Sequence, residues 1–200
     1  MSFDEKEISR RYNSYYLSVI MRYKEHIEQS ESIYLPDMPK LIEPFSEEVS
    51  AFASAIKNEF ENYTQKEDFP KAAEITFKKL EEDILVAQLP IQFWQTPSET
   101  LVNGICDILD YNATLCSIFI ALGCVSSKVA VINFEDSNRI VVYCENNNMI
   151  YLFEHSYETK LFKDRELMLK YLIEKSTGDA TAYEFNDKLY RDLILPLSSS

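Results

Sequence analysis

Histidine and glycine are scarce in this chain of 200 residues, which holds two of the first and three of the second. Only His26 and His155 are available for imidazole acid–base chemistry or metal ligation. The four cysteines, Cys106, Cys116, Cys124 and Cys144, form no Cys-x-x-Cys pair and have no zinc-ligand spacing with either histidine. No glycine-rich phosphate loop and no Ser-His-Asp arrangement occur. Neither a metal nor a cofactor is therefore expected. Positive charge is also short: 20 Lys and Arg against 33 Asp and Glu leave a net charge of -13. That balance argues against nucleic acid and anionic membrane as partners, because both attract lysine and arginine. No apolar run approaches a membrane span, and the charged start Ser2-Phe3-Asp4-Glu5-Lys6-Glu7 lacks the apolar centre of an export signal. A reduced, cytoplasmic protein is expected.

What is present is enough to fold. A 46% hydrophobic and 13% aromatic composition over this length can bury a sizeable core. Residues 4 to 29 place Ile8, Tyr12, Tyr15, Tyr16, Val19, Ile20, Tyr23 and Ile27 at three- and four-residue intervals, which predicts one long amphipathic helix with its tyrosine stripe in the core. Leu35-Pro36-Asp37-Met38-Pro39 through Pro44 is expected to be extended, and is the best boundary in the chain. Further helices are predicted from Ser46 to about Tyr63, with Ser46 as cap, and from about Asp68 to Leu85, with Pro70 in the first turn. Thr96-Pro97-Ser98-Glu99 has the form of a capping box, and Asn103-Gly104 closes that short helix. The next helix is capped by Asp107 and ended by Gly123, a glycine expected to be left-handed. Beyond it the period changes to alternation. Lys128 to Phe134, Arg139 to Cys144 and Met149 to Phe153 read as an antiparallel meander, with Asn146-Asn147-Asn148 as a turn. A helix from Arg165 to Glu174 and a short strand within Tyr183 to Pro196 complete the expected order, before a Ser198-Ser199-Ser200 tail.

Cys106-Asp107-Ile108-Leu109-Asp110-Tyr111-Asn112-Ala113, running on to Ser117 and Ile120-Ala121-Leu122-Gly123, resembles the signature helix of transglutaminase-like proteins, members of the papain-like group. Counting back from Gly123 keeps Ala121, Leu122, Ser117, Tyr111, Asp110 and Asp107 in that register. Phe93-Trp94-Gln95-Thr96-Pro97-Ser98-Glu99-Thr100-Leu101 is similar to the segment preceding the nucleophile in prokaryotic members, archaeal ones especially. The resemblance covers residues 86 to 155 best. It implies an α+β fold in which a helical amino-terminal half is followed by a capped helix packed on an antiparallel sheet. Residues 1–200 would form a single domain, with 1–90 as a helical cover and 91–200 as the core.

The family's chemistry requires a thiolate, an imidazole and an orienting carboxylate. The corresponding positions here read Ile108, Asn138 and Glu154. An isoleucine cannot attack a carbonyl, so the resemblance implies a degenerate triad and a protein that binds a protein or peptide partner. A competing register makes Cys106 the nucleophile of an active peptidase or acyltransferase, with His155 or His26 as base. Two residues of slip turn a side chain about 200° around a helix. His155 and Glu154, as neighbours on a strand, would face opposite sides. Trp94, Asp110 and Tyr111 are the candidate binding residues, Trp94 as an aromatic wall of the cleft. The 4–29 helix is a candidate surface for homo-oligomers.

Overall fold

The computed structural model describes residues 5–174 and 180–195. Two compact units emerge: residues up to Ile33 together with Leu89–Trp94, and Tyr34–Gln88 together with Gln95 onward. The helices between Glu47 and Asp83 belong to the larger unit, with the sheet.

In the smaller unit the long helix is two, α1 (Glu5–Arg22) and α2 (Lys24–Ser30), separated at Tyr23, whose φ of -105° and ψ of 10° leave the helical region. Trp94 Nε1 donates to the Glu31 carbonyl, and the Gln92 N–H donates to Glu28, which ties the 89–94 segment to α2. Ile8, Tyr12, Tyr15, Tyr16, Val19, Ile20 and Tyr23 are all exposed. The stripe is a surface, with Tyr12 and Tyr16 stacked at 6.2 Å along it. Helical periodicity reports an apolar face and carries no information about what covers it.

The larger unit is α+β. Leu35–Leu41 forms a 3-10 helix where extended chain was expected, since the fixed φ of Pro36 and Pro39 suits that tighter turn. α3 (Glu47–Lys57) follows Ser46, whose hydroxyl donates to the Glu43 carbonyl and makes no cap bond. α4 (Gln65–Asp83) begins earlier than expected, so Pro70 lies inside it. A proline there supplies no N–H to the carbonyl four residues back. Asn146 and Asn147 fill the gap, their side-chain amides donating to the Lys66 carbonyl at 3.2 and 2.9 Å. After β1 (Leu85–Val86), α5 (Pro97–Asn103) carries the full capping box between Thr96 and Glu99 and ends at Gly104 with φ of 65°. β2 (Ile105–Cys106) pairs in parallel with β1. α6 (Ile108–Ala121) is nearly all buried and is capped by Asp107.

The sheet that follows is antiparallel throughout. Its strands, β3 (Lys128–Asn133), β4 (Asn138–Asn146), β5 (Met149–Phe153), β6 (Lys160–Phe162), β7 (Thr181–Phe185) and β8 (Tyr190–Leu193), lie in the order β6-β5-β4-β3-β7-β8. Asn147 and Asn148 adopt φ of 51° and 60° in the β4–β5 turn, as a two-residue hairpin requires. α4 and α6 cover one face, where Phe119 meets Phe69 at 5.5 Å and Phe153 at 4.8 Å. The opposite face is covered by α7 (Arg165–Ile173), whose Met168, Leu169 and Leu172 pack with Val141, Tyr143, Ile150 and Leu152. The expected strand near the carboxyl end is β8, and residues 196–200, including the serine tail, lie outside the described residues.

The α6 terminus is built by distant groups. Lys57 Nζ donates to the Ala121 carbonyl and Tyr63 Oη to the Leu122 carbonyl, each at 2.8 Å, so both orphan acceptors are satisfied. Gly123 then turns the chain with φ of 103°, and a Cβ there would sit 3.1 Å from Gln65 Cγ. Gly123→Ala is expected to lower stability by at least about 1 kcal/mol, measured by urea unfolding, whereas an unchanged midpoint would show that the backbone relaxes freely.

Candidate functional site

The amino terminus of α6 is where the resemblance locates chemistry, and its geometry follows from one cap. Asp107 Oδ1 accepts from the N–H groups of Leu109 and Asp110 at 2.8 and 2.9 Å, which starts the helix at Ile108. Ile108 is therefore its first residue, half-buried, at the place where a helix dipole would favour a thiolate.

Strand alternation separates the other two triad positions. Phe153 faces α4 and α6, meeting Phe77 at 5.6 Å and Phe119 at 4.8 Å. Glu154 consequently faces α7. There Arg139 grips it through two nitrogens, Nε to Oε1 at 2.7 Å and Nη2 to Oε2 at 2.6 Å, and also donates to the Tyr171 and Leu172 carbonyls. Asn138 is exposed at the start of β4, paired with Asn133 across the hairpin. The expected convergence of Ile108, Asn138 and Glu154 is thus not formed at Glu154, which lies on the wrong side of the sheet. His155 takes the helix-facing place: its ring lies 4.8 Å from that of Tyr111, and its Nδ1 lies 3.7 Å from Glu81 on α4.

Cys106 is sealed. It is fully buried in β2, with its carbonyl accepting from the Ala87 N–H. Burial pushes its thiol up to about 12, Asp110 and Asp107 add to the rise, and the Tyr111 N–H opposes it. The ionisable groups that act on the sulfur are thus carboxyl groups, the reverse of what thiolate activation needs. Cys116 and Cys144 are buried and raised as well, chiefly by desolvation. Cys124 is the exception: the neighbouring Cys144 thiol, aided by Ser126 and Ser127, lowers it to about 7 despite burial. Sequence spacing gives no hint of that pair, since 20 residues separate them and the sheet brings them together.

Asp110 and Tyr111 are buried at 1% and 0% exposure. Neither Asp110 oxygen nor the Tyr111 hydroxyl has a hydrogen-bond partner. Burial, then Asp107, raises Asp110 to about 8, while the nearby Gln95 and Asp107 amides oppose the rise without reaching hydrogen-bond geometry. Burial likewise raises Tyr111. These two residues belong to the interior and do not line an open cleft. Trp94 belongs to the smaller unit, where its Nε1 donates to the Glu31 carbonyl.

An open groove that sequence reading missed lies between α3, α5 and the end of α4. A space of about 400 Å3 is lined by Ala51, Phe52, Ile84, Leu101 and Val102, with the carboxylates of Glu48 and Asp83. Val102, Leu85 and Ile105 are exposed at 73%, 62% and 39%. Their only sequence signal was apolar side chains in short elements. Among the described residues no cluster of three metal-ligating side chains exists, and no helix is long and apolar enough to cross a membrane. Comparison with protein-family models and with curated proteins gives no match.

Proposed function

We propose that the protein is a catalytically degenerate member of the transglutaminase-like, papain-like group that works by binding a protein or peptide segment. The observation that carries this reading is the state of the α6 terminus: Ile108 occupies the first helical position, and the thiol beside it in sequence, Cys106, is buried beside the carboxyl groups of Asp110 and Asp107. A thiol held near 12 is almost entirely protonated at neutral pH and attacks slowly. Four unpaired cysteines suit a reducing cytoplasm.

The groove beside β1 and β2 supports a peptide as the partner. Phe52, Leu101 and Val102 offer an apolar floor, and Glu48 and Asp83 add negative charge. A segment with one apolar anchor and a neighbouring lysine or arginine is complementary to both. Selection of peptides from a random display library against the full chain tests this. Enrichment of such apolar–basic peptides, with at least tenfold weaker binding to Val102→Asp, is expected. Peptides that bind the variant equally well would overturn the assignment of the groove.

A further inference from the structure

A second site lies on the far side of the sheet and is independent of the binding reading above. Glu184 of β7 is fully buried, yet three cations surround it: Arg165 Nη2 and Arg191 Nε, each at 2.5 Å, and Lys128 Nζ at 3.6 Å. The Tyr143 hydroxyl also donates to it. One carboxylate cannot neutralise three cations, so positive charge is left over at this point of a chain whose net charge is -13. Each arginine gives Glu184 a single nitrogen, through Arg165 Nη2 and Arg191 Nε. A guanidinium carries five N–H donors, so most of the donating capacity of each remains. Both side chains line an open pocket of about 550 Å3 between α7 and β8, lined also by Leu169, Leu193, Ile194 and Leu195. That volume lies within the range of small-ligand pockets, about 300–1,000 Å3, and its pairing of apolar walls with a few convergent polar groups has their general form.

Two acids also line the space, and both have partners. Glu166 is held by Lys170 at 2.6 Å, and Asp192 accepts from the Tyr190 hydroxyl at 3.1 Å. The tyrosine is neutral and leaves Asp192 charged, so among the described residues the three cations around Glu184 exceed Glu184 and Asp192 together by one positive charge, carried where the two arginines meet the cavity. We propose that this cavity binds a carboxylate carried on an aliphatic body, with Arg165 and Arg191 holding the carboxylate through charge-assisted hydrogen bonds and the leucines and Ile194 covering the chain. Such a group is offered by a free aliphatic acid or by the carboxyl terminus of a peptide ending in leucine.

Titration calorimetry on the full chain, with octanoate, octanol and octylamine, tests the chemistry, and short peptides ending in leucine as free acid or amide identify the source. Octanoate is expected to bind, with octanol and octylamine at least tenfold weaker. If the free-acid peptide binds more tightly than octanoate, and its amide loses that binding, the source is a peptide terminus; the reverse order assigns a free acid. Arg191→Gln should weaken the carboxylate at least tenfold. Because Arg191 also contacts Glu184, Ile194→Asp serves as the second variant: Ile194 is 94% exposed, so the fold tolerates the change while the new carboxylate repels the ligand. Octylamine binding better than octanoate, no binding of either acid, or equal binding by Ile194→Asp would each overturn the proposal.

Discussion

Glu184→Ala is expected to lower unfolding free energy by about 3–5 kcal/mol, the usual cost of removing one partner from a buried charge cluster. The side chain is fully buried and is the common acceptor for Arg165, Arg191, Lys128 and Tyr143. Its removal leaves three cations repelling one another around a buried phenol, and each must reach solvent or stay unpaired. Lys128, at 14% side-chain exposure, has the least freedom to escape and sits 5.4 Å over the Tyr143 ring. The hub also joins β3, β4, β7, β8 and α7, so its loss loosens several elements at once. Urea unfolding monitored by circular dichroism reads the effect. A loss under 1 kcal/mol would mean that water replaces the carboxylate without penalty, and that the hub contributes little to the fold.

Asp110→Asn should act in the opposite direction and depend on pH. The folded-state pKa of Asp110 is raised to about 8 from a reference of 3.8. Between these values the folded chain keeps a proton that the unfolded chain releases, so this group makes stability fall as pH rises from about 4 to 8 and level off above it. Below pH 4 both states are protonated and the contribution vanishes. At 1.36 kcal/mol per unit, the penalty at pH 8 reaches at most about 5 kcal/mol. Asparagine has nearly the same shape and no charge to bury. The variant should match the parent near pH 4 and gain on it steadily toward pH 8, as read from paired urea titrations at each pH. Parallel pH profiles for the two proteins would show that Asp110 is ionised and solvated in the folded state.

Local chemistry was legible in the sequence wherever a few adjacent residues decide the outcome. The Thr96–Glu99 box, the Asp107 cap, the Gly104 and Gly123 turns and the Asn147-Asn148 hairpin each follow from short-range backbone requirements, and each is present. Pro70 shows where that reasoning stops. Its interior position in α4 is tolerated because Asn146 and Asn147, some 80 residues away, occupy the Lys66 carbonyl. Strand alternation separated Glu154 from His155 on paper, but only the Arg139 grip and the Tyr111 ring show which of the two faces α6. The tyrosine stripe of α1 was misread for the same reason, since burial depends on a partner that periodicity does not name. In the β7 sequence Thr-Ala-Tyr-Glu-Phe, Glu184 shares a face with the buried Ala182, which marks it as a buried acid in need of cations. Arg165, 19 residues before it, carries no local sign of being one of them.

Native-state alkylation of Cys106 bears most directly on the absence of a working nucleophile at the α6 terminus. Iodoacetamide is added at pH 7, and mass spectrometry follows each of the four cysteines with time. With its thiol near 12 and fully buried, Cys106 is expected to react at least about a thousandfold more slowly than an ordinary exposed thiol, and the other three cysteines, all buried, are expected to react slowly as well. Rapid and selective labelling of Cys106 that disappears in His155→Ala would contradict the account and restore a cysteine-dependent enzyme.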